Sequence, residues 1–243
     1  MIVPKVSQQV SNVRSQACLT FVMDRQVSTE EWRTNLSDWL LRLEPQAGLL
    51  SGDLPAVFHH QSDGRPAIGT PLFRFHCTAN TGRVYALGAD PVQTIERVAA
   101  AIARSETVRP WLNAPMMLTQ DLSIAPAAQA LSYAVNDLVI CRDAAQYKRW
   151  SKSAVESRLT HVQDILKRGL ERQIEALGMV FEVPCPVVLN VSHERAIPKL
   201  SRQVSAKTFV RVASVVFTLP VDLRGHWVAG GLINRGYGRI VAV

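Results

Sequence analysis

Apolar and polar positions along this chain change period several times, and each change marks an element. Ala17–Met23 is a short apolar run that fits a buried strand. Ser28 or Thr29 then caps a helix predicted to reach about Leu43, and its Thr-Glu-Glu-Trp start puts carboxylates at the positive helix end. Trp32, Leu36, Trp39, Leu40 and Leu43 recur at spacings of three and four, which makes one buried stripe. Ala56–His60 reads as a strand, Ser62-Asp63-Gly64-Arg65-Pro66 as a turn, and Leu72–Cys77 as a second strand. Asn80-Thr81-Gly82 predicts a tight turn into a strand at Val84–Leu87, and Asp90 with Pro91 opens a helix to about Arg104. With Ala56–His60 set aside, the order β, α, β, β, α fits most of a split βαβ, or ferredoxin-like, unit.

Thr107–Gln129 contains three prolines and reads as a linker. The second half begins with a strand at Ser132–Cys141 and continues into the longest helical signal of the chain, residues 143–177. Val155, Leu159, Val162, Leu166, Leu170 and Leu177 fall within an arc of about 80°, while His161, Arg168 and Arg172 gather on the opposite side. One face can pack while the other offers cations. Val187–Val191, Thr208–Leu219, His226–Leu232 and Arg239–Val243 read as strands. The expected fold is therefore α+β, with two ferredoxin-like (RRM-like) domains at residues 1–106 and 130–243. The second carries a long basic helical insertion and a C-terminal glycine-rich loop.

Composition changes this picture little; charge changes it more. An apolar fraction of 47% is ordinary for a globular protein and argues against disorder. No apolar run approaches the ~20 residues a membrane helix needs, and residues 1–14 have no apolar signal-peptide core, so the expected location is the cytoplasm. Cys18, Cys77, Cys141 and Cys185 form no Cys-x-x-Cys pair and read as four buried, reduced thiols. Residues 1–125 carry 11 Lys and Arg against 11 Asp and Glu, whereas residues 126–243 carry 16 against 9 and hold the whole excess of seven. A charge confined to one half suggests a binding face for phosphate, with an inert basic surface as the plain alternative.

The most specific segment is Trp227-Val-Ala-Gly230-Gly231-Leu-Ile-Asn-Arg235-Gly236-Tyr237-Gly238-Arg239-Ile-Val. A dinucleotide-binding loop must open a helix, and only five residues follow Gly238, so that reading fails; no Gly-Lys-Ser/Thr step is present either. What remains is a glycine-rich turn between terminal strands, flanked by Arg235 and Arg239. It is either a phosphate cradle or an ordinary bulged hairpin.

Val216-Phe217, Leu219-Pro220, Gly230-Gly231 and Gly236-Tyr237-Gly238-Arg-Ile-Val together resemble the C-terminal signature of the CRISPR repeat-processing endoribonucleases. Residues 58–66, 71–75 and 82–88 resemble the β-hairpin region of a branch of that family more loosely, and the size and charge distribution suit its type IV member. The resemblance implies two ferredoxin-like domains, binding of a crRNA repeat stem-loop and one metal-independent cut at its base. It also implies retention of the product and entry into an effector complex with other CRISPR subunits.

Such a cut uses the substrate's own 2′-hydroxyl and leaves a 2′,3′-cyclic phosphate and a 5′-hydroxyl. Histidine suits the proton transfer and arginine the charge on phosphorus. No Asp/Glu cluster has metal-ligand spacing, and no cofactor is expected. Relatives of this class place their catalytic group on or just before the first helix, but residues 24–43 hold Arg25, Arg33 and Arg42 and no histidine. Arg25, Arg33 and His60 are accordingly the candidate catalytic residues. Lys148, Lys152, Arg158, His161, Arg168 and Arg172 are the candidate RNA contacts of the long helix, and Gly230, Gly231, Arg235, Gly236, Gly238 and Arg239 those of the loop. The missing helix-one histidine keeps open a non-catalytic RNA-binding subunit of the same kind of complex. An unrelated α+β enzyme acting on a small acidic substrate is a third reading.

Overall fold

The computed structural model describes residues 12–47, 53–61, 63, 65, 67–104, 116–196 and 210–243. The first half runs β1 (Val13–Val22), α1 (Thr29–Ala47), α2 (Asp53–Val57), β2 (Phe73–Thr78), β3 (Thr81–Leu87) and α3 (Ala89–Arg104). The second half follows as β4 (Met116–Cys141), α4 (Ala144–Lys152), α5 (Val155–Ala176), β5 (Val187–Val191), β6 (Glu194–Ala196), β7 (Val210–Arg224), a 3-10 turn (Ile233–Arg235) and β8 (Arg239–Ala242).

One antiparallel sheet of eight strands joins both halves in the order β2-β3-β1-β4-β7-β5, with β6 on β7 and β8 on β4. β4 is the spine. Its first part pairs with β1 (Val13 opposite Ser123), and its later part pairs with β7 and β8 (Ala134 opposite both Val216 and Val241). Two cores result. Trp32, Leu36 and Leu40 of α1 and Ile95 and Val98 of α3 pack on Leu19, Phe21, Phe75 and Val84 of the sheet. Val162, Leu166 and Leu170 of α5 pack with Val135, Val212, Phe217 and Trp227.

α1 begins as its sequence indicates: the Ser28 hydroxyl accepts from the Glu31 N–H at 3.1 Å, and Glu30 and Glu31 occupy the first turn. Five expectations need correction. Residues 116–129 are not linker but strand; Leu122 and Ile124 alternate into the core, and Pro126 is accommodated where the β4–β7 register shifts. Residues 107–115 lie outside the described residues, as do parts of the expected turn at 62–66. The helix over 143–177 is broken in two. The Ser153 hydroxyl takes the Arg149 carbonyl at 2.8 Å, and Ala154 is extended, so α5 starts afresh while Val155 stays 65% exposed. Ala56–His60 ends a helix instead of forming a strand, since Pro55 suits a first helical turn and His59 has a φ of 60°. Residues 226–232 form no strand; one isolated bridge, Val228 to Arg239, is all their backbone shares with β8. Of the cysteines only Cys18 and Cys141 are buried, while Cys77 is half-buried and Cys185 exposed.

Candidate functional site

A cleft of about 1370 Å³ lies where α4 and α5 face the C-terminal segment and residues 69–71. Arg142, Arg149, Arg168, Arg172, His59 and His161 line it together with Gly230 and Gly231, and Glu175 is the one carboxylate among its lining residues. α5 presents this side because Val162, Leu166 and Leu170 hold its other side in the core. Gln173, almost fully buried, fastens the segment to α5. Its Nε2 donates to the Gly169 and Val228 carbonyls, and its Oε1 accepts from the Val228 N–H at 3.2 Å.

At the His59 side of the cleft a second group of residues converges from three elements. Arg235, on the 3-10 turn, donates to Glu30 in the first turn of α1 at 2.7 Å. Arg33, one helical turn further on, donates to the Phe58 carbonyl at 2.9 Å and lies over the Phe58 and Phe75 rings at 5.5 and 5.6 Å. His60 follows directly. Burial lowers the Arg33 pKa, the Arg235 charge lowers it further, and Glu30 opposes both. Burial, then Arg33, then Arg235 hold His60 below its ordinary value. His59 is lowered by burial, by His60 and by Arg33. The arrangement brings two guanidiniums within electrostatic reach of a histidine that is neutral near pH 7. That is a place for a phosphate and for a proton acceptor.

Backbone geometry seats the segment there. Gly236 has a φ of +87°, and a Cβ on it would stand 2.7 Å from the Thr29 Cγ2 and 2.9 Å from the Phe75 carbonyl oxygen. Gly238 has a φ of +75°, and a Cβ on it would lie 1.8 Å from the Ala229 carbonyl oxygen. Its own N–H donates to the Asn136 carbonyl at 3.0 Å.

The candidates from sequence therefore separate. Arg33, His60 and Arg235 come together, whereas Arg25 sits apart on the surface and pairs with Glu31 at 2.5 Å. Arg168 and Arg172 line the cleft, Arg168 with Asp164 at 3.7 Å. His161 lines it as well, its Nε2 3.2 Å from the Ile140 carbonyl oxygen. Lys148 and Lys152 are exposed on α4 and are not lining residues. Arg158 is spent on the α4–α5 elbow, donating to the Trp150 and Ser151 carbonyls at 3.1 and 2.8 Å and lying over the Trp150 ring. Arg239 is placed near Tyr85, His76 and His226, away from the cleft lining. His76, pushed down to about 4 by burial, Arg239 and Arg83, and the buried His226, stacked on Tyr85 at 3.8 Å, belong to that interior group. Arg142, Arg149, Gln173 and Glu30 were not singled out by sequence. Arg142 and Arg149 were visible as charge, but nothing local marked Glu30 or Gln173 as more than helix residues.

A sequence profile of the type IV CRISPR-associated endonuclease Csf5 matches residues 44–243. None of the curated proteins compared matches the sequence. Among solved structures, Csf5, a CRISPR-Cas type IV Cas6 crRNA endonuclease, is similar at a TM-score of 0.65 and 20% identity over 94% of this chain and 99% of that one. A Cas6b structure superposes at 0.69 with 13% identity, covering 94% of this chain and all of that one. A second Cas6b structure, described as a CRISPR RNA processing endoribonuclease, superposes at 0.59 with 11% identity over 94% and 100%. Identities this low carry the fold.

Proposed function

We propose that this chain, which belongs to the family of the type IV CRISPR-associated endonuclease Csf5, is a metal-independent endoribonuclease that cuts precursor crRNA at a repeat stem-loop. The observation that carries the reading is the meeting of Arg33, Arg235 and His60 beside a cleft lined by four arginines. The α4–α5 side of that cleft holds the phosphates of the stem, whose shape and backbone are what a protein reads in duplex RNA. The scissile phosphate lies on Arg33 and Arg235. The substrate 2′-oxygen attacks phosphorus while its proton passes to neutral His60. The bond to the 5′-oxygen breaks, and that oxygen takes a proton from water. The products are a 2′,3′-cyclic phosphate and a 5′-hydroxyl. The two guanidiniums supply positive charge where the phosphoryl oxygens gain negative charge, the task a metal ion performs in other nucleases.

The fold supports this reading too. The order β2-β3-β1-β4 in the first half and β8-β4-β7-β5 in the second are each the strand order of a ferredoxin-like unit, with β4 shared between them. In the second unit the 225–238 segment takes the place of the last helix and acts as a glycine-rich phosphate loop. The enzyme keeps the mature crRNA and hands it to other effector subunits in the cytoplasm.

The test is incubation of the purified protein with a labelled repeat hairpin from the host's own array in the presence of EDTA. Discrete cleavage leaving a cyclic phosphate is the expected result. Tight, salt-sensitive binding without a cut would make the protein a non-catalytic RNA-binding subunit instead. Weak binding with a flat salt dependence would point to a small acidic substrate.

A further inference from the structure

We propose that Glu30 is a positioning residue for RNA cleavage, holding the Arg235 guanidinium in the site through the pair that joins the first turn of α1 to the C-terminal segment. The inference rests on the endoribonuclease reading above.

The pair spans 205 residues of sequence, and its side chains are 35% and 26% exposed. An exposed ion pair of this kind has little worth; this one is half-buried and links two elements that meet only through the fold. Among the described residues Glu30 is the one hydrogen-bond acceptor of the Arg235 guanidinium. Arg33 needs no such help, because the Phe58 carbonyl and two aromatic rings already fix it. Arg235, by contrast, stands on a single 3-10 turn between Leu232 and Gly236, both in the left-handed region. Its side chain would sweep a wide volume without an anchor.

Charge makes a second demand. The charge of Arg235 disfavours that of Arg33, and Glu30 acts on Arg33 in the opposite sense. One carboxylate therefore allows two guanidiniums to converge before any phosphate is present. Glu30 does this without offering itself to RNA: its second oxygen, Oε2, is buried and has no hydrogen-bond partner among the described residues. With Oε1 bonded to Arg235 and Oε2 buried, the carboxylate acts through Arg235 and not on the substrate, so it positions and does not itself transfer the proton.

The test compares wild type, Glu30→Gln, Arg235→Ala and the double variant on one repeat hairpin. Single-turnover cleavage at saturating protein and the hairpin Kd are measured for each. Glu30→Gln keeps the shape and loses the charge. Its cleavage is expected to slow ~10-fold or more while the Kd shifts by less than about threefold, because an oriented cation acts mainly on the transition state. Adding Glu30→Gln to Arg235→Ala is expected to slow the reaction no further. Glu30→Asp, which keeps the charge on a shorter arm, should cut faster than Glu30→Gln, and thermal melting checks that each variant is folded. Wild-type cleavage by Glu30→Gln, or losses that add in the double variant, would overturn the role of Glu30 alone. Failure of the wild type to cut any repeat hairpin would remove the nuclease reading and this role with it.

Discussion

Among single residues, the site turns on His60 and on one glycine. His60 is exposed, yet burial of part of its ring and the charges of Arg33 and Arg235 hold its pKa below the ordinary 6.5. A base works only when unprotonated, so cleavage should persist as pH falls below 6.5 and decline only as the lowered pKa is crossed. A pH–rate profile at saturating protein should show that acid limb in the wild type and lose it in His60→Ala. An identical limb in both would take the proton transfer away from His60. Gly238 has a different part. A methyl there would collide with the Ala229 carbonyl oxygen, so Gly238→Ala should destabilise the protein by about 3 kcal/mol or more, read as a lowered melting temperature. Sequence pointed to Arg33, His60 and Arg235 separately, by residue type and by the glycine motif. Their meeting was not legible, because Glu30, which ties Arg235 to the helix that carries Arg33, is 205 positions away from its partner and looks like any carboxylate at a helix start.

Between elements, the break at Ser153–Ala154 decides which cations share the cleft. On one unbroken helix Arg149 would sit about 100° around from Arg168. The break lets α4 turn back, and Arg149 joins Arg142, Arg168 and Arg172 in one cleft. The amphipathic stripe of α5 was readable from spacing, and Val162, Leu166 and Leu170 are buried as that period requires. The break was not readable, because serine and alanine are tolerated in helices, and the bonds that end α4, from the Ser153 hydroxyl to the Arg149 carbonyl and from Arg158 to the Trp150 and Ser151 carbonyls, appear only in the fold. Arg168→Ala with Arg172→Ala should weaken hairpin binding and lower the slope of log K against log salt by ~2, near one for each phosphate no longer neutralised. Lys148→Ala with Lys152→Ala, outside the cleft lining, should leave that slope within ~0.5 of wild type. Equal slopes for the two pairs would take the cleft out of the binding path.

Across the full fold, the two halves divide charge but share a sheet. The excess of seven positive charges lies in residues 126–243, and the four cleft arginines come from that half; Glu30, Arg33 and His60 come from the neutral half and meet Arg235 of the basic one. The proposed active site is thus assembled only when the C-terminal segment docks on α1 and β2. Proline content suggested a linker between independent domains, but β4 runs through residues 116–141 and completes the pairing of both halves. Removing it would strip β1 of one neighbour and β7 of its longest ladder. Arg74 and His226 tie the halves again: the fully buried guanidinium donates to the His226 carbonyl at 2.7 Å, and Gln16 accepts from the His226 N–H at the same distance. With β4 pairing β1 on one side and β7 on the other, and with these buried bonds between the halves, unfolding should be one cooperative step. Near-UV and far-UV circular dichroism should give coincident thermal transitions, with calorimetric and van't Hoff enthalpies in agreement. Two separated transitions would restore the picture of independent domains, and cleavage would then depend on their docking equilibrium.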